Sequence, residues 1–87
     1  MNVRSAHAHS IFHRAEIEAG ALCGCFYCCA IFRPNEITEW VDPDSTGEGQ
    51  TALCPKCGID SVIGERSGFD LSEEFLTAMR RHWFTSA

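Results

Sequence analysis

The chain has 87 residues, 45% hydrophobic and 22% charged, and its twelve Asp and Glu against seven Lys and Arg give a formal net charge of −5. That length suits one domain whose small core barely offsets chain entropy, so a staple is expected, and six cysteines can supply it. Scattered basic residues, with only Arg80 and Arg81 adjacent, argue against nucleic acid as the main partner, and the one dense apolar run, residues 21–32, is well short of the roughly 20 residues a membrane span needs.

Residues 1–10 hold one arginine among small and polar residues, with no apolar signal core or cleavage site, so a cytoplasmic location is expected. In a reducing cytosol, closely spaced cysteines read as metal ligands rather than disulfides. Residues 1–6 are expected to be flexible. Over 5–20 the pattern predicts a helix: Ser5 or Ser10 suits its cap, Phe12, Ala15 and Ala19 fall at helical spacing, and Gly20 suits its end. Such a helix would stack His9, His13 and Glu16 on one face, with His7 beside them.

Next comes "CGCFYCC", residues 23–29, with four thiols in seven positions. Residues 29–32 are β-prone, and "RPNEITEW" reads as a short helix with Pro34 at its first position and Ile37, Trp40 and Val41 on one buried face. Residues 42–50, "DPDSTGEGQ", read as a loop. "TALC" and "DSVI" then flank the turn Pro55-Lys56-Cys57-Gly58, the pattern of a hairpin folded around a cysteine pair. A second turn is expected over 64–68. The last segment reads as an amphipathic helix, with Asp70 and Glu73 as an acidic capping box and Leu71, Phe75, Leu76, Met79 and Trp83 as its apolar stripe. Both tryptophans are expected in the core, and residues 85–87 are expected to be flexible.

Two residues between cysteines let one turn of backbone aim both sulfurs at one ion. Cys25 with Cys28 and Cys54 with Cys57 have that spacing, and 25 residues separate the pairs. A single structural Zn2+ held by all four is the expected staple, although the same donor set suits iron equally well. Cys23 and Cys29 are expected to pack as small hydrophobes. The alternatives are that either replaces a first-pair ligand or acts as a redox-sensing thiol.

The histidine face supports a different reading. Imidazoles four apart can share a metal, and His9, His13 and Glu16, or Asp60 in place of Glu16, would leave an open position for hydrolysis. The HExxH pattern of zinc proteases is absent, because Ser10, Ile11 and Phe12 lie between the two histidines. A solvated or capping role is the plainer expectation. Asp60 and Ser61, just past the second pair, are expected to cap the turn.

"CGCFYC", "IFRPNEITEW", "TALCPKCGIDSVIG" and "EEFLTAMRRHWF" together resemble a family of small bacterial cytoplasmic proteins with a zinc-ribbon-like core and no established activity. The resemblance runs from His9 to Phe84. It implies a shared small fold with metal ligands at Cys25, Cys28, Cys54 and Cys57, while Cys29 stands where a zinc ribbon's first knuckle often has glycine. The combined expectation is one small α+β domain, residues 1–87. It has a two-knuckle, zinc-ribbon-like core, a short β-hairpin and three helices: N-terminal, middle and C-terminal. It is expected to work as a protein-interaction or adaptor module, with no membrane association.

Overall fold

The structure is a computed structural model that describes residues 3–84. It is a small α+β fold built on two antiparallel sheets. In the first, β1 (Cys23–Cys25) lies between β2 (Ile31–Phe32) and β5 (Val62–Gly64), with Cys23 opposite both Phe32 and Gly64. In the second, β3 (Trp40–Pro43) pairs with β4 (Gly49–Ala52), Trp40 opposite Ala52. The helices are α1 (Val3–His7), α2 (Arg14–Ala19) and α3 (Glu73–Phe84).

Strand alternation divides the core between the two faces of the central sheet. Cys23, Cys25 and Val62 join Ile17, Phe32, Ile37, Ala52 and Cys54 in one cluster, whereas Ile63 joins Ala6, Phe26, Phe75, Leu76 and Met79 in the other. Gly24 faces α3. A Cβ there would come within 3.1 Å of Leu76 Cδ1 and 3.2 Å of Ile31 Cδ1, so the missing side chain is what lets the helix sit on the strand.

The single helix expected over 5–20 is interrupted. α1 runs into a 3-10 turn, Ala8–Ser10, and α2 starts only at Arg14. Between them Phe12 adopts φ +48°, and backbone amides that a helix would use internally go to β4: Phe12 N–H to Thr51 Oγ1 at 2.9 Å and His13 N–H to Gln50 O at 2.8 Å. Covering the outer edge of β4 satisfies donors and acceptors that would otherwise lie open. Of the stretch expected to be flexible, residues 3–6 lie in α1 with Ala6 fully buried. Residues 85–87 lie outside the described residues.

The middle helix is corrected to one 3-10 turn, Pro34–Glu36, closed by Ile37 N–H to Pro34 O at 3.1 Å. Its β-branched successor Ile37 is extended, and Trp40 and Val41 enter β3. The expected loop at 42–50 is the turn of a hairpin. Asp44 Oδ1 accepts hydrogen bonds from Thr46 N–H, the Thr46 hydroxyl and Glu48 N–H, which staples the bend and holds this carboxyl below its ordinary pKa. The hairpin expected from "TALC" and "DSVI" does not form, because Thr51 and Ala52 pair with β3 while Val62 and Ile63 pair with β1. The second cysteine pair therefore links the two sheets. Gly68, at φ +89°, ends the turn expected over 64–68.

The C-terminal helix matches its apolar stripe at Phe75, Leu76 and Met79. Its cap is Ser72 rather than Asp70: Ser72 Oγ accepts Phe75 N–H at 3.0 Å, because Phe69 and Leu71 stay outside the helix to pack on the second cluster. Trp83 is 37% exposed instead of core. Its indole N–H donates to Val3 O at 3.1 Å and its ring lies 3.9 Å from that of His7, joining α3 to α1. Trp40 is half-buried, with the Arg14 guanidinium 4.4 Å from its ring centre.

Candidate metal centre

Both cysteine pairs are built by the same backbone turn. In the first, Cys29 N–H donates to Cys25 O at 2.8 Å and Cys25 N–H to Ala30 O at 3.0 Å; in the second, Gly58 N–H donates to Cys54 O at 2.8 Å and Cys54 N–H to Ile59 O at 2.9 Å. Cys29 and Gly58 occupy equivalent places, at φ +63° and +80°. Cys29 therefore supports the turn through its left-handed backbone, a conformation usually left to glycine. The leading sulfur of each pair accepts the amide two residues on, Tyr27 N–H to Cys25 Sγ and Lys56 N–H to Cys54 Sγ, both at 3.3 Å.

The two turns bring their four sulfurs together. Cys25 Sγ lies 3.7 Å from Cys57 Sγ, Cys28 Sγ lies 3.7 Å from Cys54 Sγ, and all four lie within 4.8 Å of one another. A tetrahedron with centre-to-sulfur distances of about 2.3 Å has edges of about 3.8 Å, so the group is positioned to hold one metal ion. Cys25 and Cys54 are buried, while Cys28 and Cys57 are half-buried at the turn surfaces.

The sulfurs of the group do not ionise independently. Burial raises the Cys25 thiol, but the Ser61 hydroxyl, the amides of Cys28 and Tyr27 and the Cys57 thiol outweigh it, leaving Cys25 below its ordinary pKa. Burial and then the neighbouring charge on Cys25 push Cys28 up, and Cys57 is pushed to about 12 by burial together with the Cys25 sulfur. One thiolate suppresses ionisation of its neighbours, and a divalent ion reverses that effect. Ser61, expected as a turn cap, is buried with its Oγ 3.0 Å from Cys25 Sγ. The sequence signal for it was its position just past the second pair.

Cys23 and Cys29 stand apart from the four. Cys23 is fully buried in the first cluster, where burial first and then the charges of Glu36, Cys54 and Glu65 push its thiol up to about 12. Cys29 is half-buried against the second cluster. Cys23 therefore lacks the environment of an activated thiolate.

The histidine face is divided by the interruption between α1 and α2. His9 Nδ1 lies 3.0 Å from a Glu16 carboxylate oxygen, so those two meet. His13 is buried, with Nδ1 2.7 Å from His9 O and Nε2 accepting Ala52 N–H at 3.0 Å. Both ring nitrogens are thus committed to backbone, and burial holds the imidazole below its usual pKa despite the His9 carbonyl and Glu16. Among the described residues only the four cysteines form a group with metal-holding geometry. Asp60 is not in it.

Comparison with protein-family models, with curated proteins and with solved structures finds no match for this chain. Among the described residues no helix is long and apolar enough to cross a membrane.

Proposed function

We propose that this chain is a cytoplasmic zinc-stapled protein-interaction module, with one Zn2+ held by Cys25, Cys28, Cys54 and Cys57. The supporting observation is the closed set of four sulfurs, joining two matched turns at the meeting of the two sheets. Zinc takes four thiolates readily, and its retention would supply folding energy of about 10 kcal/mol or more. With all positions filled, the ion has no site for a substrate or reactive water. Its contribution is to lock the sheets and hence the surrounding surface. The resemblance to small proteins with a zinc-ribbon-like core points the same way.

The interaction part of the reading rests on what that frame displays. Phe12 is 66% exposed on a left-handed residue between α1 and α2, and Ile11, Tyr27, Ile31, Trp83 and Phe84 are exposed as well. A small chain that presents this many large apolar groups is suited to docking. The test is a chelator titration of the purified protein followed by near-UV circular dichroism. Cooperative loss of the aromatic signal with one zinc released supports the staple; release that leaves the signal unchanged overturns it.

A further inference from the structure

The four clustered sulfurs differ in access and in closest neighbour. Each knuckle supplies one buried cysteine, Cys25 or Cys54, and one half-buried at the turn surface, Cys28 or Cys57. The short contacts do not follow the knuckles: Cys25 Sγ meets Cys57 Sγ and Cys28 Sγ meets Cys54 Sγ, both at 3.7 Å. Each close pair therefore joins a buried sulfur to a half-buried one, and a first-knuckle sulfur to a second-knuckle one. The other two thiols are outside the group of four, Cys23 in the first core cluster and Cys29 against the second.

We infer that hydrogen peroxide converts the zinc staple into two covalent ones, the disulfides Cys25–Cys57 and Cys28–Cys54, releasing Zn2+ while the two sheets stay joined. The inference rests on the zinc-staple reading and adds a regulation of that site. Metal-bound cysteines are held as thiolates, the nucleophilic form. The half-buried members meet a small oxidant first. Cys57 Sγ attacks one peroxide oxygen: an S–O bond forms, the O–O bond breaks and hydroxide leaves, which makes a sulfenic acid. Cys25 Sγ, 3.7 Å away, then attacks the Cys57 sulfur; the S–S bond forms, the S–O bond breaks and a second hydroxide leaves. Cys28 and Cys54 react in the same way with a second peroxide molecule. Each peroxide is reduced as two sulfurs are oxidised, the hydroxides take protons from the buffer, and the ion is left without ligands.

Closing each pair to an S–S length of about 2.05 Å calls for rotation of Cys28 and Cys57 at the turn surface while Cys25 and Cys54 stay in the core. A disulfide within a knuckle would close a loop of only four residues and leave the sheets unbridged at this point. The cross pairs join residues 32 and 26 positions apart. Longer closed loops restrict the unfolded chain more, so the cross-linked form is the one that keeps its fold without metal. Oxidation and chelation thus have opposite consequences: both remove the ion, but only oxidation leaves a staple behind.

The test starts with zinc per chain, measured by plasma mass spectrometry on chelator-free parent and Cys29→Gly. Both are then treated with hydrogen peroxide, against a peroxide-free control, while a chromogenic indicator follows zinc release and near-UV circular dichroism follows the fold. Remaining thiols are alkylated, and disulfides are mapped by mass spectrometry after digestion with trypsin and chymotrypsin. Cleavage after Lys56 separates Cys54 from Cys57, cleavage after Tyr27 separates Cys25 from Cys28, and Cys29→Gly removes the ambiguity between the adjacent Cys28 and Cys29. The expected result is release of one zinc with loss of four thiols, the disulfides Cys25–Cys57 and Cys28–Cys54 in both proteins, and a retained aromatic signal. Dithiothreitol with added Zn2+ should restore both the thiols and the bound zinc. Disulfides within a knuckle, disulfides through Cys23 or Cys29, or sulfinic acids in place of disulfides would overturn the inference. So would retained zinc with intact thiols, or an aromatic signal lost on oxidation. The staple reading survives each of these outcomes. A parent that carries no zinc before oxidation fails that reading, and the inference falls with it.

Discussion

His13→Ala separates the structural role of this histidine from a catalytic-metal role. In the folded chain the imidazole links the carbonyl of His9 to the amide of Ala52, across the break between α1 and α2. Truncation leaves the buried Ala52 amide and the half-buried His9 carbonyl without their partner, at about 1–3 kcal/mol each. Lost packing of the ring, which meets Trp40 edge-on at 6.4 Å, adds to this. A total of about 3–5 kcal/mol is a large part of the roughly 5–15 kcal/mol that stabilises a domain. Urea unfolding of zinc-loaded parent and variant measures the difference, and His13→Gln, which keeps an acceptor for Ala52 N–H, should recover part of it. The pH dependence adds a second reading. Because the folded pKa of His13 lies below 6.5, the unfolded chain takes up the proton first. His13 thus contributes full stability above about pH 6.5 and loses it as pH falls below that value toward the folded pKa. The parent should show a steeper loss between pH 7 and 5.5 than His13→Gln. A loss under about 1 kcal/mol, or loss of one metal equivalent with stability intact, would refute this account.

The turns and the sheet give three further expectations. Cys29→Gly should keep one metal per chain by mass spectrometry, because Cys29 contributes backbone conformation at φ +63° and its sulfur is outside the group of four; loss of metal would make it a ligand. Ser61→Ala removes the hydroxyl 3.0 Å from Cys25 Sγ and should weaken zinc binding about tenfold, measured by competition with a chromogenic chelator, while the stoichiometry stays at one. Gly24→Ala places a methyl 3.1 Å from Leu76 Cδ1 and should cost about 1–3 kcal/mol in urea unfolding; an unchanged midpoint would show that α3 shifts freely on the sheet.

The metal-holding group was legible because its information is local. Two residues between cysteines determine a turn whose sulfurs converge, and the structure builds that turn twice with matching hydrogen bonds. The stripe of α3 was equally visible, since Phe75, Leu76 and Met79 share one face at helical spacing. What could not be read locally was set by pairing between distant segments. "EITEW" has the spacing of a short helix, yet Trp40 and Val41 serve as the strand that β4 requires. His9, His13 and Glu16 have metal-face spacing, but the unpaired edge of β4 draws in the backbone of residues 12 and 13 and His13's ring with it. The Asp44-centred turn was hidden in a stretch that composition alone marks as loop. Trp83 was misplaced because a helical stripe does not reveal where the core ends and a neighbouring helix begins.

The most direct test of the metal centre is metal content per chain, measured by plasma mass spectrometry on protein purified without a histidine tag or chelator, for the parent, Cys54→Ser and His13→Gln. One zinc in the parent and in His13→Gln, with zinc and fold both lost in Cys54→Ser, is the expected result. A second metal in the parent that disappears in His13→Gln, or a folded Cys54→Ser chain with undiminished zinc, would contradict the account.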